Sequence, residues 1–416
     1  MYDIAIIGGG ASGLACAVAA LECAAATARP IPRIVILEAT DKIGRPILRS
    51  GNGRCNFSNA HIFPDAYNDP ETVADALASL EQGAVRAGIV REAPNPVVGF
   101  FEGLGLIWRQ ESEGRLYPLA NKASVVLDVL RSPLLRFGVD VRCEAKVAKV
   151  VPSAGKARHH TIHLEGGELV RAHDAVIAAG GASGAFGLDA CLPYAQPRPV
   201  LGPLATDDRF TRPLDNIRVR CAVHLMRDGA AIAEERGEVQ FRKYGVSGIA
   251  VFNLSRLAQA ADVLRIDLIP DAAPGIMADR LALLGRSLAK DPSNFELLQG
   301  MVLPLVADQV LKSAGLEGAH QATEQSAALL EEHLHGFDLR VKGIGDAELC
   351  QVSRGGFDPC AFDLSCMQSK EHPGLYVIGE ALDVDGACGG FNLHWAFATG
   401  LLAAWRIVGV DGAPSC

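Results

Sequence analysis

The first forty residues constrain the fold more than any other stretch. Tyr2 to Ile7 (YDIAII) is a short apolar run rich in β-branched residues, the pattern of a buried parallel strand. Gly8-Gly9-Gly10-Ala11-Ser12-Gly13 follows, a GxGxxG, and then the Ala- and Leu-rich stretch Leu14 to Ala26 reads as a helix. A second strand, Arg33 to Leu37, ends in Glu38. Strand, glycine turn, helix, strand and terminal acid come in the order that a dinucleotide-binding βαβ unit requires.

Each position has a physical task. Gly8 permits the tight turn. Gly10 has no Cβ, so a pyrophosphate can approach the main chain. Ala11, Ser12 and Gly13 present free N–H groups at a helix start, where phosphate charge is stabilised. Glu38 can accept from ribose hydroxyls. It lies 25 residues past Gly13, slightly beyond the usual ~20, because Ala28 to Pro32 lengthens the connection.

The motif alone does not separate FAD from NAD; the far end of the chain does. Gly374 to Ile378 is another buried strand, ending in Gly379-Glu380. Gly389-Gly390 then opens a helical stretch, Phe391-Asn392-Leu393 onward to about Trp405. Two helix N-termini at opposite chain ends suit a long cofactor: one serves the diphosphate, the other faces the electron-rich edge of a flavin ring. These features predict non-covalent FAD. The interior holds no second GxGxxG, so NAD(P)H is expected only as a transient electron donor.

Between these ends, Ile43 to Asn59 (IGRPILRSGNGRCNFSN) concentrates glycine, arginine and asparagine. Gly44 and Arg45 suit the phosphate edge. Gly51, Gly53, Arg54, Cys55 and Asn56 are expected along the flavin ring, with Arg54 and Asn56 as donors to ring or substrate oxygens. Cys55 has two readings: a small buried hydrophobe, or the acid that quenches carbanion character after hydride transfer. The second assumes a loop too polar for simple core burial. His394 competes for that role, or packs on a helix face beside Trp395. Val147 is expected to hold adenine by its backbone, with Ala179 and Gly180 in the small-residue turn after a strand.

Composition limits the remainder. The chain has 416 residues, 49% of them hydrophobic, and a formal charge of −9. That length accommodates two or three domains, and the acidic balance argues against general nucleic-acid or anionic-membrane binding. Locally, Arg198 to Arg265 carries 11 Lys/Arg against 8 Asp/Glu, so RNA is allowed but not favoured as a partner. Eleven cysteines without a CxxC pair suggest reduced thiols and no metal site. With no basic stretch at Met1, a cytoplasmic protein is expected. Oligomeric state is not readable.

Helices are expected over Asp69 to Gly83 and Asn121 to Phe137. Strands are expected within Val139 to Val151, at Thr161 to Leu164 and at Ala172 to Gly181. An antiparallel β pattern covers Arg218 to Met226, Gly229 to Ala233, Gly237 to Phe241 and Leu264 to Ile269. Ala273 to His335 reads as helical, with apolar spacing at Leu281, Leu284 and Leu288. The expected organisation is α/β: a Rossmann-like FAD domain over 1–190 and 345–416, an inserted β domain over 191–272 and 336–344, and a helical subdomain over 273–335.

The opening glycine motif, SGNGRCNFSN, GRLYPLANKAS (Gly114 to Ser124), IAAGG (Ile177 to Gly181) and PGLYVIGEALDVDGACGGFNLHWA (Pro373 to Ala396) together resemble the BaiN-like (YhiN-like) flavoproteins. The resemblance implies a glutathione-reductase-type FAD domain carrying inserted domains. It also implies reduction of conjugated C=C bonds or amine oxidation. Pro46, where the family commonly has Lys, and the short Ala182 to Pro199 segment depart from its pattern near the expected substrate side. Three functions follow: an FAD-dependent reductase of an activated C=C bond in a small molecule or a pyrimidine, an amine oxidase using oxygen, or a non-catalytic FAD-binding redox sensor.

Overall fold

The computed structural model describes residues 1–89, 92–153, 159–181, 184–287, 292–318 and 321–409. Leu288 and the first two residues of the short segment, Ala182 and Ser183, lie outside these. The chain divides into two compact units, Met1–Arg198 with Val352–Cys416, and Pro199–Gln351.

The first unit is built on a nine-stranded sheet. Its central strand, Tyr2–Ile7, pairs in parallel with Ile34–Leu37 on one side and Leu169–Ile177 on the other. Leu375–Val377 extends the sheet in parallel beyond Leu169–Ile177, and Asp140–Arg142 extends it beyond Ile34–Leu37. The strands Val147–Val151 and His160–Leu164 form an antiparallel hairpin that joins Leu169–Ile177. Ile34–Leu37 is buried throughout, which explains its unbroken apolar run.

Two helices from opposite chain ends pack together on this sheet, Ala11–Ala26 and Phe391–Ile407. Gly400 makes the close approach: a Cβ there would lie 2.6 Å from the Ser12 carbonyl oxygen and 3.1 Å from the Cys16 nitrogen. Helix Pro70–Arg86 starts where Asp69 caps it by accepting from the Thr72 N–H at 3.1 Å. Its Gly83 sits against the Trp405 indole, where a Cβ would approach to 2.5 Å. The second expected helix runs over Ala123–Arg136.

In the second unit, six antiparallel strands close a barrel in the order Leu204–Thr206, Gly245–Ser247, Ala230–Arg242, Arg218–Arg227, Val263–Asp267, Phe337–Ile344. The segments Gly229–Ala233 and Gly237–Phe241, expected as separate strands, run into the single strand Ala230–Arg242, with Gly229 in the turn before it. Gly237 stays in register opposite Cys221, and a Cβ on it would meet only the Ala250 methyl, at 3.6 Å. It marks the approach of helix Ile249–Ser255, not a break. Helices Ile276–Ser287, Asn294–Leu298, Pro304–Ser313 and Glu324–His335 share one apolar core with the barrel, through Leu297, Val306 and Leu330 beside Leu264 and Phe337. Among the described residues no helix is long and apolar enough to cross a membrane.

Candidate active site

The glycine turn after the first strand is set by close packing. A Cβ on Gly8 would collide with the Ala178 carbonyl, and Gly8 has φ +110°. Gly13 lies against the Gly8 carbonyl, so its Cβ position is also filled by backbone. Gly10 differs: a Cβ there would meet nothing nearer than Pro46 Cγ at 3.9 Å. The first turn Ala11-Ser12-Gly13 has no side-chain cap and no acid. An open main-chain approach at an uncapped helix start is what a diphosphate requires.

Glu38 stands at the end of the second strand, as expected for a ribose acceptor. Its carboxylate accepts from the Gly9 N–H at 2.8 Å, the Thr40 N–H at 2.8 Å and the Thr40 hydroxyl at 2.7 Å. The acid is thereby tied to the glycine turn. The Ala145 N–H donates to the Glu38 carbonyl at 2.8 Å, bringing the strand that begins at Val147 alongside. Ala179 and Gly180 follow Ala178, whose carbonyl touches the Gly8 turn; Gly180 has φ +75° and open space around its Cβ position.

The C-terminal motif converges on the same place. A Cβ on Gly379 would lie 2.7 Å from Ser12 Oγ. Glu380 is half-buried, its carboxyl pushed up by desolvation, and accepts from the Ser353 N–H at 2.7 Å. Gly389 and Gly390 both have positive φ, and Gly390 serves as the uncapped N-cap of helix Phe391–Ile407. The Phe391-Asn392-Leu393 turn carries no acid. Asn392 spends its side chain on its own loop, accepting from the Gly386 N–H at 2.7 Å and donating to the Gly386 carbonyl at 2.8 Å. Its main chain remains at the helix start.

SGNGRCNFSN is brought against this second helix start. Asn59 Nδ2 donates to the Gly389 carbonyl at 2.9 Å, and Asn56 Oδ1 lies 2.9 Å from where a Gly390 Cβ would be. Gly51 and Gly53 adopt positive φ. Gly44 also has positive φ and donates its N–H to the Gly9 carbonyl at 2.8 Å. Together the two uncapped helix starts, the open Gly10 and the terminal acid fit FAD. The first start and Glu38 would hold its diphosphate and ribose, and the Gly390 end its ring.

Two arginines depart from expectation, and Cys55 and His394 take their packing readings. Arg45 is ion-paired with Asp41 one turn earlier, not offered to a phosphate. Arg54 pairs with Glu111, donates from Nε to Asn121 Oδ1 at 2.6 Å and lies 4.1 Å over the Tyr117 ring. Cys55 is fully buried within the apolar core, at φ +60°, and burial pushes its thiol up to about 12. The polar loop turns this one side chain inward, so the premise of an accessible acid there is corrected. His394 is buried too; burial pushes its imidazole down to about 3, and Nδ1 lies 3.0 Å from Ser58 Oγ. It carries no spare proton at neutral pH.

Sequence reasoning missed the clamp on the second helix start. Arg354 grips the fully buried Asp385 by two bonds, Nε to Oδ2 at 2.6 Å and Nη2 to Oδ1 at 2.9 Å. Asn68 Oδ1 accepts from the Asp385 N–H at 2.8 Å, and the Tyr67 hydroxyl donates to the Phe391 carbonyl at 3.0 Å. The acidic DVDG run was the only signal, and it does not name its partners.

The family described as HI0933-like protein Rossmann domain matches residues 2–406. A curated relative from Clostridium scindens, named 3-dehydro-bile acid delta(4,6)-reductase, is 30% identical over 97% of this chain and 98% of its own length. Proteins named ribosomal RNA dihydrouridine synthase are similar at lower identity. The one from Haemophilus influenzae is 25% identical over 97% of both chains, and the one from Escherichia coli 26% identical over 98% of both.

Proposed function

Because the chain belongs to the HI0933-like Rossmann-domain family and is an FAD-dependent oxidoreductase, we propose that it reduces an activated C=C bond in a small molecule, with NAD(P)H as transient donor. The observation that carries this reading is the end-to-end similarity to the C. scindens reductase. When bound, FAD would supply hydride chemistry drawing on NAD(P)H, and hydride at the β carbon with a proton at the α carbon of the acceptor accounts for the two hydrogens added.

The chain's own contribution is placement. The Ala11-Ser12-Gly13 turn and Glu38 hold the nucleotide end. The Gly390 helix start, clamped through Arg354, Asp385, Asn68 and Tyr67, would offer its positive end to the electron-rich edge of the ring. Cys55 is buried within the apolar core, out of reach of a bound substrate, and buried neutral His394 holds no extra proton. We therefore assign proton delivery to water.

Reduction of a pyrimidine in RNA is the second reading, favoured by the names of the two relatives at lower identity. Charge balance supports the small molecule. Within the arginine-rich stretch, Arg212, Arg218, Arg227, Arg236 and Arg265 are each paired with a carboxylate, which weakens the local positive field a phosphate backbone needs. A cytoplasmic location fits the ten cysteines among the described residues, which form no disulfide with one another.

The test is anaerobic turnover of the FAD-loaded protein with NADH or NADPH and a small enone, with product mass measured. A saturated ketone two hydrogens heavier is expected. Oxygen consumption with primary amines and no reduced product from any C=C acceptor would overturn the reading.

A further inference from the structure

One stretch of chain wraps the turn that leads to the Gly390 helix start. Asn59 Nδ2 donates to the Gly389 carbonyl at 2.9 Å. Further along, the Asn68 N–H donates to the Asp385 carbonyl at 3.0 Å, and the Ala387 N–H donates back to the Ala66 carbonyl at 2.8 Å. Tyr67 faces Gly386 in an antiparallel bridge. Residues 59–68 are therefore tied to residues 385–389 at both ends, and Phe63 lies between the two attachments.

Phe63 ends a row of aromatic rings. Trp395 packs on Tyr67 with centroids 6.2 Å apart, Tyr67 meets Phe391 edge to face at 5.9 Å, and Phe391 meets Phe63 edge to face at 5.4 Å. The glycines of the turn make room for the row. A Cβ on Gly386 would lie 3.0 Å from the Tyr67 ring, and one on Gly389 would lie 3.1 Å from the Phe391 ring. The Tyr67 hydroxyl, donating to the Phe391 carbonyl, fixes the middle of the row. Trp395, Tyr67 and Phe391 are buried, whereas Phe63 is 48% exposed. An isolated exposed apolar side chain asks for no explanation. This one is the outermost member of a rigid row that begins in the core and surfaces beside Phe391, the first residue of the helix that meets the flavin ring.

We propose that Phe63 is the apolar wall of the acceptor site, packing against the carbon skeleton next to the reducible C=C bond and so selecting among acceptors. A flat group conjugated with that bond covers the phenyl ring, whereas a short acceptor leaves the ring in water. The contact is the same before and during hydride transfer, so it belongs in KM and not in kcat. The proposal rests on the C=C reductase reading and adds to it the side chain that sets acceptor preference.

The test compares the FAD-loaded parent, Phe63→Ala and Phe63→Trp. Kinetics are measured with benzylideneacetone and with cyclohexenone. Binding of benzylacetone, the reduced product, to the oxidised protein is read from the flavin absorbance. Phe63→Ala should raise both the benzylideneacetone KM and the benzylacetone Kd roughly 3- to 10-fold, the size of one aromatic contact, and should cost cyclohexenone less. Phe63→Trp should hold or improve the parent values. FAD content and melting temperature equal to the parent's report that folding is intact, as a half-exposed ring allows. Parent values for benzylideneacetone and benzylacetone in Phe63→Ala overturn the proposal. So does an effect confined to the KM for NAD(P)H, which would assign the ring to the donor's nicotinamide. If cyclohexenone is reduced while the benzylacetone Kd does not move, the wall fails and the reductase reading stands. If no C=C acceptor reoxidises the reduced flavin, the reductase reading itself fails and takes the proposal with it.

Discussion

Arg354 reaches across to Asp385 and holds it by two hydrogen bonds of 2.6 and 2.9 Å, with the carboxylate wholly buried. The two lie 31 residues apart in the chain, on the strand Val352–Phe357 and in the loop that leads to the C-terminal helix. The pair sets where that helix begins.

Removing one partner strands the other's charge. Arg354→Met should destabilise the fold by about 3–5 kcal/mol, the usual cost of breaking a buried pair from one side. It should also loosen FAD, because the Gly390 helix start loses its clamp. Denaturant unfolding with and without added FAD measures both. A variant with parent stability would show that the contact carries no load.

Gly10 and Gly13 separate cofactor binding from folding. Gly13→Ala puts a methyl into the Gly8 carbonyl, so the apoprotein itself should be destabilised. Gly10→Ala meets only open space up to Pro46 Cγ at 3.9 Å. Its apoprotein should melt near the parent temperature while its FAD affinity falls at least tenfold, as the methyl blocks approach to the helix start. Parent FAD affinity in Gly10→Ala would remove the diphosphate from this turn.

The same comparison shows what could be read in advance. Glycine motifs were legible at both chain ends because their demands are local: positive φ, a missing Cβ, a helix start a few residues on. The sheet strands were legible from their unbroken apolar runs. Side-chain partners were not. Arg54 faces Glu111, 57 residues away, and nothing near Arg54 announces that. Cys55 turns inward at φ +60° although its neighbours are polar; direction along an irregular loop has no sequence period. Gly237 read as a strand end because its covering helix, Ile249–Ser255, is a tertiary fact.

The thiols offer a direct check on Cys55. Brief alkylation of the native protein at mildly alkaline pH should label exposed Cys143 and Cys360 and spare buried Cys55, whose thiol is pushed up to about 12. Peptide mass mapping reads this. Rapid labelling of Cys55 would return it to candidacy as a proton donor.

Asp174 makes stability depend on pH. Burial pushes its carboxyl up to about 7, with His173 opposing. A carboxyl raised in the folded state contributes its stability fully below the unfolded value near 4 and loses it as pH rises through about 7. Asp174→Asn removes that dependence. The variant should therefore gain on the parent between pH 4 and pH 7, by an amount on the order of a few kcal/mol, in urea titrations across that range. A difference between the two that does not change with pH would mean that Asp174 is ionised in the folded protein.

Reoxidation of the reduced flavin separates C=C reduction from oxygen chemistry. The FAD-loaded protein is reduced anaerobically and mixed in a stopped-flow instrument with a conjugated enone, with air-saturated buffer, or with both. The enone is expected to restore the oxidised flavin spectrum faster than oxygen does and to leave the saturated ketone as product. Rapid reoxidation by oxygen with no response to any C=C acceptor would contradict it.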